Sequence, residues 1–311
     1  MAVPRPIILD CDPGHDDALA MLLALARPEL DVLAITTVAG NAPLERTTRS
    51  ALRVLTLAGR TDVPVAAGAA ESLTGQRHTA PSVHGASGLD GADLPEPQVE
   101  PVAETALELM TRLLETASRP ITLVPTGPLT NVAQLIAARP DLVERVDSIC
   151  LMGGAIGEGN WTASAEFNIW ADPEAAAAVF ACGRPIAMHG LDVTHQARLR
   201  PAEIEAMDAL GNRTGRVFAD LMRYYARYHA ERYGWDGPPI HDAVAVAHTL
   251  GLGIVETRAY PVAVETEGRL TRGRTVVDVR PFATGTTVDV GVGIDRERFV
   301  GLLLEAVASF P

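Results

Sequence analysis

The stretch IILDCDPGHDDALAMLLA, beginning at Ile7, constrains this chain more than any other. An apolar run ends at Asp10, Pro13-Gly14 supplies a turn, and an apolar stretch with helical spacing starts near Asp16. Strand, turn and helix in that order are the first half of a βαβ unit. Four carboxylates, Asp10, Asp12, Asp16 and Asp17, therefore gather at the carboxyl edge of the first strand. In open α/β sheets that edge is where ligands bind. One or two aspartates at a helix start are ordinary caps for free N–H groups. Four so close together repel one another unless a cation sits among them, and a hard divalent ion with oxygen ligands meets that need.

The rest of the chain extends the same rhythm. Short apolar runs at 6–10, 32–37, 63–67, 121–124, 148–152 and 186–188 alternate with helix-like stretches at 16–26, 44–58, 103–117, 129–138 and 173–181. This predicts an α/β fold, an open and mostly parallel sheet flanked by helices with a Rossmann-like core. Residues 68–101 form a long stretch rich in Gly, Ser, Pro and His, of a length more often functional than idle. Farther on, 201–233 reads as largely helical, 260–279 as a strand pair around TEGRLTRGR, and 296–308 as a closing amphipathic helix. With no internal repeat or linker, residues 1–311 read as a single domain.

Charge and composition narrow the chemistry. A net charge of -13 speaks against a nucleic-acid partner, which calls for a basic face, and suits a site that collects a cation. All 26 basic residues are arginine. The absence of lysine excludes a Schiff-base lysine, a P-loop lysine and a lysine general base. It also weighs against one rival, the phosphoryl-transfer enzymes of the haloacid dehalogenase type, which place DxD after a first strand but need a lysine. In addition, Pro13-Gly14 follows Asp12 where those enzymes carry a hydrophobic residue and Thr or Ser. No apolar stretch reaches the roughly 18 residues of a membrane span, and MAVPRPIILD lacks a signal-peptide pattern. A cytoplasmic protein with no membrane partner is expected. Cys11, Cys150 and Cys182 are an odd number without CxxC spacing, which predicts buried free thiols and supports neither a disulfide framework nor a zinc site.

DCDPGHDDALA resembles the N-terminal signature of the inosine-uridine type nucleoside hydrolase family. Seven further blocks follow in family order: VAGN at 38–41, VHGASGL at 83–89, LVPTGPLTNVA at 123–133, LMGGA at 151–155, GNWTASAEFNIWADPEAA at 159–176, GLDVTH at 190–195 and IHD at 240–242. Together they cover essentially the whole chain. The resemblance implies the nucleoside hydrolase fold, hydrolysis of a ribonucleoside to free base and ribose, Ca2+ at the pocket floor, and a homodimer or homotetramer. It implies that Asp12, Asp17 and Asp242 give carboxylates to the ion and Thr126 its backbone carbonyl, with the ribose 2′- and 3′-hydroxyls and a water completing the shell. Such a shell suits calcium, which takes six to eight oxygens. By the same resemblance Asp12 is the base for the water, Asp16 and Asn41 hold the 2′-hydroxyl side, and Asn160, Glu166 and Asn168 hold the 3′- and 5′-hydroxyls. Glu166 and Asn168 are two apart, so an extended segment would point both the same way.

Breaking a ribosyl C1′–N bond builds positive charge on the ring and leaves a base that needs a proton. His241, beside a proposed ligand, is the leading acid, because histidine changes protonation near neutral pH. The competing reading is a hydrogen-bonded structural histidine. His84 is a second candidate, for base contact or proton donation. Tyr225 and His229, four apart on a helix, share a face that could close over the base; Tyr224 and Tyr228 read as core. His15, GLDG at 88–91 and GNWT at 159–162 look like the pyrimidine-preferring branch, so uridine and cytidine are expected to be slightly favoured. His78, His189, His195 and His248 are assigned ordinary structural roles. The alternatives are a metal-dependent phosphohydrolase and a non-catalytic ribonucleoside-binding protein, although every expected catalytic residue is present.

Overall fold

The first strand, β1 (Arg5–Cys11), is buried on both faces, with Ile7, Leu9 and Cys11 turned into one core and Ile8 into the other. That double burial explains why the strand reads as a continuous apolar run rather than an alternating one. The computed structural model describes residues 3–311. Eight more strands join β1 in one sheet: β2 (Leu30–Thr37), β3 (Val65–Ala67), β4 (Ile121–Pro125), β5 (Val146–Met152), β6 (Ile186–His189), β7 (Val255–Val264), β8 (Thr275–Val277) and β9 (Thr287–Ile294). Their order is β3-β2-β1-β4-β5-β6-β9-β7-β8. Every pairing from β3 through β9 is parallel; β7 runs antiparallel to β9 and β8 antiparallel to β7.

The chain leaves β1 toward β2 and β3 on one side, then returns to place β4 on the other side of β1, with Asp10 opposite Pro125. The order reverses there, so a crevice opens between the carboxyl ends of β1 and β4. The His15–Ala26 helix starts in that crevice and runs back through the interior, buried from His15 to Leu25. It is apolar all round, as a helix covered by other helices must be. It packs against the His241–Thr249 and Arg296–Ala308 helices on one side of the sheet. On the other side, the Ala106–Thr116, Thr130–Ala138 and Pro173–Phe180 helices cover the second core.

The predicted elements are present, and the helices at 44–58 and 296–308 have the expected bounds. The 201–233 stretch is two helices, Pro201–Asp208 and Arg213–Tyr233, the second closed by Gly234 at φ 68°, a left-handed stop that glycine takes without penalty. The 260–279 strand pair is real but longer at its start, where β7 begins at Val255. The unexpected strand is β9, whose Gly291 and Gly293 weaken the strand pattern. Cys11 and Cys150 are buried as expected; Cys182 is only half-buried. Among the described residues, no helix is long and apolar enough to cross a membrane.

Candidate active site

Asp12 follows the last residue of β1 and is fully buried. Its Oδ2 accepts the Asn41 backbone N–H at 2.6 Å, while its Oδ1 has no hydrogen-bond partner. The chain makes room for it with glycines. A Cβ on Gly40 would fall on Asp12 Oδ2, and one on Gly127 would lie 2.6 Å from Oδ1. Asp17, one turn into the first helix, accepts the Gly14 N–H at 3.0 Å, the Asn41 side-chain amide at 3.1 Å and the Thr126 hydroxyl at 2.9 Å. Asp242 enters from the His241–Thr249 helix, which packs along the first one.

Asp16, Asp17 and Asp242 bring carboxylate oxygens within 4.8 Å of one another, all three buried. The resemblance placed Asp12 where Asp16 stands in this trio. Asp12 adjoins it through Asn41, whose side-chain nitrogen lies 3.1 Å from both the Asp12 carbonyl and Asp17 Oδ2. Burial first, and repulsion from Asp17 second, pushes the Asp12 carboxyl well above the ordinary range and Asp16 up to about 7. Asp242 is raised in the same way, by burial and then by Asp16 and Asp17. Buried carboxylates that repel one another, with one oxygen left bare, are a donor set for a hard cation. These residues can hold a metal ion.

Above this floor lies a pocket open to solvent. Of the residues singled out from sequence, Asp16, Asn41, His84, Thr126, Asn160, Glu166, Asn168, Tyr225, His229, His241 and Asp242 all line it; Asp12 and Asp17 lie beneath. The expectation of an extended segment at 166–168 is wrong. Glu166 is the N-cap of a short helix, Phe167–Ala171, and its carboxylate accepts the Asn168, Ile169 and Gly154 N–H groups at 2.9, 3.2 and 2.9 Å. A glutamate that close to a helix start is recruited by the free N–H groups of the first turn. Asn168 then turns its amide nitrogen to the Thr126 carbonyl at 2.7 Å. Asn160 Oδ1 accepts the Phe167 N–H at 3.0 Å, leaving its amide nitrogen for the pocket.

The opposite wall is aromatic. His15, fully buried, stacks on Tyr225 at 5.1 Å and on Tyr224 at 5.3 Å. Its Nε2 lies 2.7 Å from the Asp90 carbonyl, which can only accept, and its Nδ1 lies 3.0 Å from His84 Nδ1. Burial lowers His15 to about 4, so the ring is neutral near pH 7 with its proton on Nε2. The same His84 Nδ1 faces the His15 backbone N–H at 3.3 Å, so both the amide and the ring of His15 meet it. His241 Nδ1 sits 2.7 Å from the Thr194 hydroxyl. Burial, then repulsion from His195, His229 and His84, holds His241 well below the usual histidine range.

Several pocket residues were not anticipated. Tyr228, expected in the core, lines the pocket half-buried, and Tyr224, also expected in the core, is half-buried against His15. Both sit in the second half of the Arg213–Tyr233 helix, where Tyr225 and His229 are the buried residues. His195, assigned a structural role, is also in the wall, edge-on to Trp235 at 4.8 Å. Tyr233 and Trp235 stack at 4.6 Å beside His229. A signal for Tyr233 was present: Tyr225, His229 and Tyr233 follow at four-residue steps on one helix face.

Residues 7–301 match the family model described as inosine-uridine preferring nucleoside hydrolase. The chain is 49% identical over 309 residues to the pyrimidine-specific ribonucleoside hydrolase RihA of Shewanella sp. (strain MR-7), covering 98% of this chain and 97% of the relative. It is 50% identical over 308 residues to the RihA of Salmonella arizonae, covering 98% and 99%. Among solved structures, the purine-preferring ribonucleoside hydrolase from Gardnerella vaginalis superposes with a TM-score of 0.92 at 32% identity, covering 98% of both chains.

Proposed function

Because the chain belongs to the inosine-uridine preferring nucleoside hydrolase family and is a ribonucleoside hydrolase, we propose that it works as one domain over residues 1–311, on a Ca2+ ion, with uridine and cytidine slightly favoured over purine nucleosides. The observation that carries this reading is the pairing of a buried acidic floor, bearing the unpartnered Asp12 Oδ1, with an aromatic and histidine-rich wall across one pocket. Asp12, Asp17, Asp242 and the Thr126 carbonyl would hold the ion, with Asp16 beside them. When bound, a hard divalent cation supplies positive charge that acidifies water and grips a cis-diol.

The chain's own residues do the rest. Asp12 takes a proton from the attacking water through the free Oδ1, while Asn41 keeps Oδ2 in place. Asp16 and Asn41 meet the 2′-hydroxyl side of the ribose. Asn160 and Asn168 meet the 3′- and 5′-hydroxyls, and Glu166 shapes that edge by capping the helix that carries Asn168. Water oxygen bonds to C1′ as the C1′–N bond breaks, and the departing base needs one proton. His241, protonated from solvent, donates it from Nε2 and returns to the neutral ring, with Nδ1 held by the Thr194 hydroxyl. Negative charge growing on the base raises the proton affinity of the ring, which offsets the burial that keeps it neutral at rest. Tyr225, His229 and Trp235 offer faces to the planar base, and the His84 ring offers Nε2 to a polar atom of the base.

The preference for pyrimidines is supported by relatives that are named pyrimidine-specific at about half identity, against a purine-preferring neighbour at 32%. A homodimer or homotetramer in the cytoplasm completes the reading. Comparing kcat/KM for uridine and inosine at saturating Ca2+ tests the preference. A ratio above one is expected; a clear excess for inosine would place the chain with the purine-preferring enzymes.

A further inference from the structure

Away from the substrate pocket, Cys150 on β5, His189 at the end of β6 and His248 on the His241–Thr249 helix bring ligand atoms within 4.8 Å of one another. None of the three lines the pocket described above. We propose that they form a second metal site, selective for a thiolate-seeking ion such as Zn2+.

His189 is poised as a ligand. Its Nδ1 lies 3.0 Å from the Leu151 carbonyl, an acceptor only, so that nitrogen bears the proton and Nε2 bears a lone pair. Nε2 is fully buried and bonded to nothing. A histidine fixed by a backbone carbonyl at one nitrogen, with the other bare, is the arrangement that metal-binding imidazoles adopt. Cys150 Sγ lies 3.9 Å from His189 Nδ1, on the same ring as the bare Nε2, and donates to the Ala245 carbonyl at 3.2 Å, where the Thr249 hydroxyl also donates at 2.9 Å. Loss of the thiol proton therefore leaves that carbonyl paired. His248 is half-buried and lines a cavity of about 120 Å3 together with Cys150, Asp289 and Arg5. The cavity gives an ion a way in and room for a fourth ligand.

The surroundings choose the kind of ion. Burial pushes the Cys150 thiol up to about 12 and His189 down to about 3, so the empty cluster is uncharged near pH 7. Arg5, donating to the Thr249 carbonyl at 2.8 Å, opposes a cation beside Cys150, whereas at His248 the attraction of Asp289 outweighs it. A hard ion gains more among the aspartates of the first site. One sulfur and two imidazole nitrogens suit Zn2+, which displaces the thiol proton to solvent as the metal–sulfur bond forms. Bound there, it would tie the far end of the helix that carries His241 and Asp242 to β5 and β6.

Co2+ serves as the spectroscopic probe, titrated into full-length protein with Ca2+ in large excess. One equivalent should bind with a thiolate-to-cobalt charge-transfer band, reversed by Zn2+, abolished in Cys150→Ser and retained in Cys182→Ser. Ribose release by Cys150→Ser should match that of the wild type. His248→Gln, on the cavity wall, guards against misfolding of the cysteine variant and should weaken Co2+ binding by about tenfold or more. Absence of the thiolate band, its survival in Cys150→Ser, or unchanged affinity in His248→Gln would each overturn the site.

Discussion

At the level of single residues the account turns on oxygen and nitrogen atoms that burial leaves without ordinary partners. Asp12 Oδ1 is the sharpest case, because the other oxygen of that carboxylate is committed to the Asn41 N–H. Asp12→Asn keeps the shape and the Asn41 contact but removes the base and a negative charge. Ca2+ affinity and turnover should fall together, turnover by roughly 10² to 10⁴; wild-type rates with wild-type Ca2+ binding would refute the assignment. His241→Ala should slow uridine far more than p-nitrophenyl riboside, whose leaving group departs without a proton. Equal loss on both substrates would remove His241 from the acid role. Both residues were legible in the sequence as members of ordered blocks. The chain of contacts from Asp90 through His15 to His84 was not, since it joins residues 69 to 75 positions apart through a loop. The Cys150–His189–His248 cluster escaped notice for a related reason: its members come from two strands and a helix, and no local spacing announces them.

At the scale of elements, strand-to-helix turns aim side chains and glycines let them approach. The β1 turn was readable because Pro13-Gly14 punctuates an apolar run, and helix 44–58 because its apolar positions recur at helical spacing. β9 was unreadable because a strand containing Gly291 and Gly293 lacks the side chains that mark one. The shape of 166–168 was misjudged because a single-sequence reading of AEFNI does not reveal that the Glu166 carboxylate is taken by the first turn of a helix. The close approach of Gly40 and Gly127 to Asp12 makes a prediction at this scale. Gly127→Ala should lower Ca2+ affinity by pushing the carboxylate aside, with far-UV circular dichroism unchanged, as isothermal titration would show. Unchanged affinity would mean that Asp12 has slack the structure does not display.

Across the whole molecule, the sheet reversal between β1 and β4 gathers carboxylates from three segments into one unfavourable cluster, and folding tolerates it because a cation is expected there. Protons are the substitute when the ion is absent. Asp12, Asp16 and Asp242 have folded-state pKa values raised above the unfolded 3.8, so they stabilise the ion-free fold at low pH and that contribution is lost as pH rises, through about 7 for Asp16. Buried histidines such as His15 and His229, both lowered to about 4, act in the opposite sense, costing stability as pH falls below about 6.5. That effect is common to both forms and cancels in a difference. The gap in Tm between Ca2+-loaded and EDTA-treated protein should therefore widen from pH 5 to pH 8. A constant or narrowing gap would show that the carboxylates are not where the ion binds. The most direct test of the central claim is release of free ribose from uridine, cytidine, inosine and adenosine by protein treated with EDTA and then resupplied with Ca2+. The account predicts no release with EDTA, recovery with Ca2+, and the highest rates on uridine and cytidine; full-rate ribose release in EDTA would contradict it.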